Sequence, residues 1–241
     1  MAVAVLRERE PERELRVRAD LDALRRAAEH AKPVSLAGER SLPVLGALES
    51  LLPAGIRRGA TATVEGGPGS TSLAFALGAA ASQAGSWVGV VGAPALGLLA
   101  ATELGIVPER MLVVAEPPAR SVATVVAALL DAVDVVYVGA DVAGADARRL
   151  VARAREREAV LIPIRTRWPL AADVRLTVAD PEWHWRGRLV ARRVHVTASG
   201  RGVYARERHA SLWLPDETGA VALASGTAEA ALAYPIGPRT R

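Results

Sequence analysis

From residue 59 onward the chain repeats one pattern, a short continuous β-branched run followed by a longer helix-patterned one. Strand-like runs fall at 60–64, 87–91, 111–115, 133–138 and 160–164, with helix-like runs between them at 71–84, 95–104, 119–132 and 143–156. A strand with one wet face alternates apolar and polar residues. These runs do not alternate, as expected of strands covered on both faces of a parallel sheet. Parallel neighbours need crossover connections, so the pattern predicts a doubly wound α/β domain. Past residue 165 the runs become short, at 174–179, 188–197, 202–207 and 210–214, with Gly200, Arg201 and Gly202 suited to a hairpin turn. Antiparallel strands are therefore expected to extend one edge of the sheet.

Both ends of the chain differ from this core. Leu15, Val17, Leu21, Leu24, Ala27, Ala28 and Ala31 recur at near-helical spacing, which predicts a surface helix over 13–31 that packs on the domain or on a partner. Lys32-Pro33 ends it, and a linker follows. Residues 44–52 are expected to form a short helix, and Pro53-Ala54-Gly55 a turn. The stretch 215–241 is rich in Ala, Gly, Pro and Thr, with few large apolar groups and one candidate helix at 227–233. A flexible tail that a partner orders is expected there, with Leu232, Tyr234 and Ile236 as its anchor. The expected division is an N-terminal helix and linker at 1–41, a core at 42–215 and a C-terminal tail at 216–241.

Between the first strand and its helix runs Glu65-Gly66-Gly67-Pro68-Gly69-Ser70-Thr71-Ser72. This is where a nucleotide-binding fold places its phosphate loop, G-x-x-x-x-G-K-[ST]. Gly69 holds the last glycine position, Ser70 stands where lysine belongs, and Thr71 keeps the hydroxyl. The first glycine would be Val64, with Gly66 and Gly67 close by, so the loop is about one residue short. Two roles fit the segment: anion binding by backbone N–H groups at a helix N-terminus, or a tight turn capped by Ser70 or Thr71.

The chain has no cysteine, which excludes disulfides, thiolate metal sites and cysteine nucleophiles. His30, His184, His195 and His209 lie at no metal-ligand spacing, and no G-x-S-x-G elbow occurs. The longest apolar run, 93–102, is far short of a membrane span, and charges follow the first residues at once. A cytoplasmic protein is the expectation.

Lys32 is the sole lysine among 30 basic residues. A GC-rich genome explains this, and so does phosphate recognition, since the arginine fork pairs bidentately with phosphate. The arginine clusters at 7–26 and 148–167 alternate with acids and read as solvated helix faces, whereas 186–208 holds few acids. Two segments join arginine to tryptophan. Arg165, Arg167 and Trp168 follow the fifth strand and suit phosphate pairing and base stacking, unless Trp168 plugs the sheet edge beside Pro169. Trp183 and Trp185, sharing one strand face, either stack on bases or a partner or cover the sheet, with Arg186, Arg188, Arg192 and Arg193 forming a basic rim.

Residues 42–81, LPVLGALESLLPAGIRRGATATVEGGPGSTSLAFALGAAA, resemble the start of the RecA recombinase core. More closely, they resemble the RecA-like ImuA/SulA group, above all actinobacterial ImuA-type mutagenesis proteins. The resemblance continues through VGVVGAPALGLLAATELGIVPERMLVV at 88–114 and DVVYVGADV at 134–142, and covers about 42–215. It implies a RecA-like P-loop fold, with Gly66, Gly67, Gly69, Ser70, Thr71 and Asp141 as a vestigial nucleotide site. Three departures agree with one another. The phosphate-loop lysine is Ser70, the acid that activates water is Pro94, and the metal-binding Asp that ends the Walker B strand is Gly139, with Asp141 two residues later. Phosphoryl transfer depends on positioned charge, so ATP hydrolysis is not expected, nor any cofactor or metal. The resemblance implies an accessory adaptor in DNA-damage-induced (SOS) mutagenesis and translesion synthesis. Its partner would be an inactive Y-family polymerase-like protein of the ImuB type. Leu15, Leu21 and Leu24 would carry one interface and Leu232, Tyr234 and Ile236 another. Self-association and weak DNA binding accompany this expectation. Two alternatives stand beside it: a weak ATP-binding repair ATPase using Thr71 and Asp141, and a SulA-like cell-division inhibitor.

Overall fold

The computed structural model describes residues 40–93, 97–164 and 167–224. A two-stranded ribbon, β1 (Ser41–Leu42) and β2 (Ile56–Arg57), opens the described chain. The alternating part follows: β3 (Ala62–Gly66), α1 (Ser70–Gln83), β4 (Val88–Val91), α2 (Leu98–Glu103), β5 (Met111–Val114), α3 (Val122–Leu130), β6 (Val135–Val138), α4 (Gly144–Arg157) and β7 (Val160–Pro163). Then come β8 (Val174–Trp185), β9 (Leu189–Gly200), β10 (Arg208–Trp213) and β11 (Ala222–Leu223).

Hydrogen bonding gives two sets, β5-β4-β6-β7 and β3-β8-β9-β10-β11. A parallel bridge between Thr61 and Leu161 joins them, and the Leu161 N–H donates to the Ala60 carbonyl at 3.0 Å. Read across, the order is β5-β4-β6-β7-β3-β8-β9-β10-β11, parallel as far as β8 and antiparallel beyond it. In such a sheet the loops that follow the parallel strands leave one edge, where ligands of open α/β sheets bind.

The continuous apolar runs are buried as their sequence requires: every residue of β4, β6 and β7 is inaccessible. One face of the sheet packs Leu73, Phe75 and Leu77 of α1 against Val90, Tyr137, Leu176 and Val194. The other packs Val125, Val126 and Leu129 of α3 and Leu150 of α4 against Val136, Val138 and Leu161. Helices therefore cover both faces. Tyr137 reaches beneath α1, its hydroxyl donating to the Phe75 carbonyl at 3.3 Å and its ring 4.6 Å from that of Phe75.

Four segments differ from expectation. Residues 44–52 form only a 3-10 turn at Gly46–Leu48 and further turns, because Pro43 and Pro53 confine them, although Leu48, Leu51 and Leu52 are buried. Residues 202–207 are not a strand. A 3-10 turn at Gly202–Tyr204 places the Tyr204 hydroxyl to accept from the Arg57 N–H at 2.7 Å and to donate to the Gly55 carbonyl at 3.2 Å. β8 runs on to Trp185 instead of stopping at 179, because an irregularity between Ala179 and Glu182 absorbs Asp180, at φ 47°, and the donorless Pro181. The tight hairpin accordingly lies at Arg186–Arg188, where the Arg186 N–H donates to the Arg188 carbonyl at 2.9 Å.

Past residue 215 the chain is still within the sheet. Asp216 holds a turn by accepting from the N–H groups of Thr218 at 2.8 Å and Ala220 at 3.0 Å, and β11 then pairs with β10. The stretch expected to be a free tail thus begins inside the core as far as 224. The helix expected at 13–31 and the candidate helix at 227–233 lie outside the described residues.

Candidate functional site

β3 delivers the chain to Gly66, at φ 111°, where a Cβ would lie 2.1 Å from the Val178 carbonyl oxygen. Only glycine fits that approach. After Gly67 and Pro68 the chain turns at Gly69, also at φ 111°, and α1 begins at Ser70. No side chain caps this helix, so neither Ser70 nor Thr71 plays the capping role open to it in the sequence. The Ser70 N–H donates to the Gly67 carbonyl at 3.2 Å and the Leu73 N–H to the Gly69 carbonyl at 2.8 Å. The N–H groups of Thr71 and Ser72 have no acceptor among the described residues.

A cation reaches this loop from elsewhere in the sheet. Arg192 of β9 is only 8 % exposed. Its Nη2 donates to the Ser72 hydroxyl at 2.9 Å, and its guanidinium lies 4.9 Å from the centre of the Trp183 ring. A Cβ placed on Gly69 would be 3.3 Å from its Nε, which is buried without a hydrogen-bond partner. Burial lowers the pKa of Arg192 from the ordinary arginine value. Arginine remains charged nonetheless.

The expected basic rim is corrected by this placement. Arg192 lies on the face of β9 that carries buried Val194 and Val196, whereas Arg193 points the other way and pairs with Glu182 at 3.4 Å. Arg186 and Arg188 are exposed at the hairpin tip, with Arg186 pairing to Glu217 at 3.2 Å. The four arginines do not form one surface. Trp183 is 41 % and Trp185 64 % exposed, so Trp185 does not cover the sheet as expected.

After β7, Arg165 lies outside the described residues and Arg167 is exposed. Trp168 is half-buried against the α3–α4 side of the core, in the position of an edge plug. The phosphate-type loop, Arg167 with Trp168, and the β8–β9 hairpin all follow parallel strands and leave the same edge of the sheet. Arg192 of β9 ties the hairpin to the loop through Ser72, whereas no hydrogen bond or ion pair among the described residues links Arg167 or Trp168 to either.

At the ends of β4 and β6 the chain is packed closed. A Cβ on Gly139 would lie 2.9 Å from both the Gly92 carbonyl oxygen and the Ala93 Cβ, and one on Gly92 would lie 2.4 Å from the Ala140 Cβ. Position 139 therefore has no room for a metal-binding carboxylate. Asp141 is exposed further along the loop, and Pro94 lies outside the described residues. No group of three or more His, Asp or Glu suited to a metal occurs among the described residues. With serine at the lysine position and no space at 139, these residues do not fit a magnesium-bound triphosphate. No described helix is long and apolar enough to cross a membrane. Leu15, Leu21, Leu24, Leu232, Tyr234 and Ile236 all lie outside the described residues.

Comparison with known proteins agrees with this architecture. Residues 50–170 match the protein family described as the MT3502 N-terminal domain. Over 159 residues the chain is 33% identical to the uncharacterized protein Rv3395c of Mycobacterium tuberculosis, spanning 64% of this chain and 70% of that protein. Among solved structures, the RadB recombinase superposes with a TM-score of 0.55 over 75% of this chain and 97% of its own, at 16% identity. That likeness carries the fold, which is RecA-like as expected.

Arg192 is the residue whose surroundings the sequence concealed. Counting arginines groups it with its neighbours, whereas its alternation with Val194 and Val196 was the available signal.

Proposed function

This chain belongs to the MT3502 N-terminal domain family, and from that premise we propose that it is a catalytically inactive RecA-like adaptor in DNA-damage-induced mutagenesis and translesion synthesis. It acts by binding a protein partner, an inactive Y-family polymerase-like protein of the ImuB type. The observation that carries the inactive half of this reading is the closure around Gly139, where Gly92 and Ala93 occupy the space a metal-binding side chain needs. Serine at position 70 supports it, since the lysine of a phosphate loop reaches the β- and γ-phosphates. The adaptor half follows from the resemblance of 42–215 to ImuA-type proteins and from the apolar clusters at either end of the chain.

Co-purification with an ImuB-type protein tests the partner, using the full chain and chains lacking 1–39 or 225–241. The second boundary is placed at 225 because deletion from 216 would also remove the Asp216 turn and β11. The expected result is stable co-purification with the full chain and its loss in at least one truncation whose core melt is unchanged. Absence of any complex between the full-length proteins contradicts the adaptor assignment.

A further inference from the structure

We propose that a groove along α4 binds an acidic amphipathic helix of a partner protein. The groove, of about 310 Å³, lies on the sheet face opposite α1, between α4 and the segment that leads into β8. Val151 and Ala152 of α4 form its floor with Leu170 and Ala171, and Arg148, Arg155 and Arg201 stand around it. Gly200 pairs with Val174, so Arg201 enters from the edge where β8 begins, away from the loops that follow the parallel strands. No described carboxylate lines the groove. Elsewhere on α4 acids do neutralise the arginines: Arg149 pairs with Asp146, and Arg153 and Arg157 share Asp131. Of the three arginines around the groove, Arg155 has such a partner, Asp173 at 3.4 Å. Arg148 and Arg201 are exposed and carry no ion pair among the described residues.

The spacing defines the ligand. Arg148 and Arg155 lie two turns apart on α4, about 10 Å along its axis, with Val151 and Ala152 at the turn between them. A helix laid along α4 presents the complement when it carries carboxylates at i and i+7 and apolar side chains at i+3 and i+4. A strand repeats one face at about 7 Å and offers carboxylates at about 7 or 13 Å instead. Exposed ion pairs contribute little singly, so apolar contact with the floor has to supply part of the binding. Ala152 and Ala171 are small and let an incoming helix approach closely. The lining holds no aromatic ring on which bases could stack, which disfavours single-stranded nucleic acid. Charge disfavours the remaining occupants. Residues 1–39 carry as many basic as acidic residues, and a second copy of this chain brings a net charge of +4.

Fluorescence anisotropy tests this with the full chain and a labelled helical peptide that has glutamates at i and i+7 and leucines at i+3 and i+4. The expected result is saturable binding, weakened about fivefold or more when Arg148→Ala and Arg201→Ala are combined. Both side chains are exposed and unpaired, so the double variant should keep the parent's melting temperature. Ala152→Glu, also at an exposed position, sets a like charge on the floor and weakens binding as much with all three arginines in place. A peptide with serines in place of the leucines binds severalfold more weakly. The probe contains no ImuB-type sequence, so the adaptor assignment and this surface fail separately. No saturable binding, binding unchanged in either variant, or equal binding of the serine peptide overturns the proposal. So do three other results, each of which assigns the groove elsewhere. Oligothymidine binding more tightly than the peptide through the same arginines assigns it to nucleic acid. Dimerisation that depends on Arg148 and Arg201 assigns it to a second copy. Peptide binding that appears only once 1–39 are removed assigns it to the chain's own N-terminal segment.

Discussion

The Cβ that Gly139 lacks would lie 2.9 Å from the carbonyl oxygen of Gly92. The ends of β4 and β6 are thus in contact through backbone where an ATPase of this fold needs an acidic side chain. Restoring the acid should damage the protein instead of reviving it. Gly139→Asp is expected to lower stability by about 1–3 kcal/mol, the usual cost of forcing atoms into a packed site. A denaturant melt measures this. A variant as stable as the parent means that the strand ends separate freely, and the closure argument fails.

A second glycine makes a similar prediction inside α1. A Cβ on Gly78 would lie 2.4 Å from the Tyr137 hydroxyl. Alanine is the better helix former by about 1 kcal/mol, so on propensity alone Gly78→Ala would stabilise. Overpacking against a fully buried ring is expected to win, and the variant should melt below the parent. Removing the hydroxyl makes room, so Tyr137→Phe combined with Gly78→Ala should recover most of the loss. Additive behaviour of the two changes contradicts this geometry.

These two glycines show what was legible in the sequence and what was not. Val135–Val138 and Val88–Val91 announced themselves as buried strands, because a run with no polar face has only one kind of place in a sheet. The missing acid at Gly139 was equally plain. Its tight packing was not, since the atoms that close it come from Gly92 and Ala93, distant in sequence. In sequence, Asp180-Pro181 has the composition of a strand end, and only the irregular pairing with β9 carries β8 past it. Arg192 is hidden in sequence for a related reason. A cluster of arginines is read as surface, while the alternation that turns one of them inward is a property of the strand.

The turn before β11 should confer an acid-sensitive increment of stability. Partial burial of Asp216 raises its pKa, but hydrogen bonds from the Thr218 hydroxyl and from the N–H groups of Thr218, Ala220 and Gly219 outweigh it, and the net shift is downward. A carboxylate with a lower pKa folded than unfolded stabilises the protein above its unfolded value, and that contribution disappears as pH falls through the folded value. The melting temperature of the parent should therefore exceed that of Asp216→Ala at neutral pH, with the gap narrowing below about pH 4. A gap that stays constant into strong acid contradicts the assignment of the turn to the ionised carboxylate.

The proposed function requires that this RecA-like scaffold does not hydrolyse nucleotide. Phosphate release from magnesium-ATP by the purified chain, with and without single-stranded DNA, measures this directly. The account predicts no turnover above the buffer control and no difference between the parent and Thr71→Ala. Turnover that is present in the parent and disappears in Thr71→Ala would contradict it.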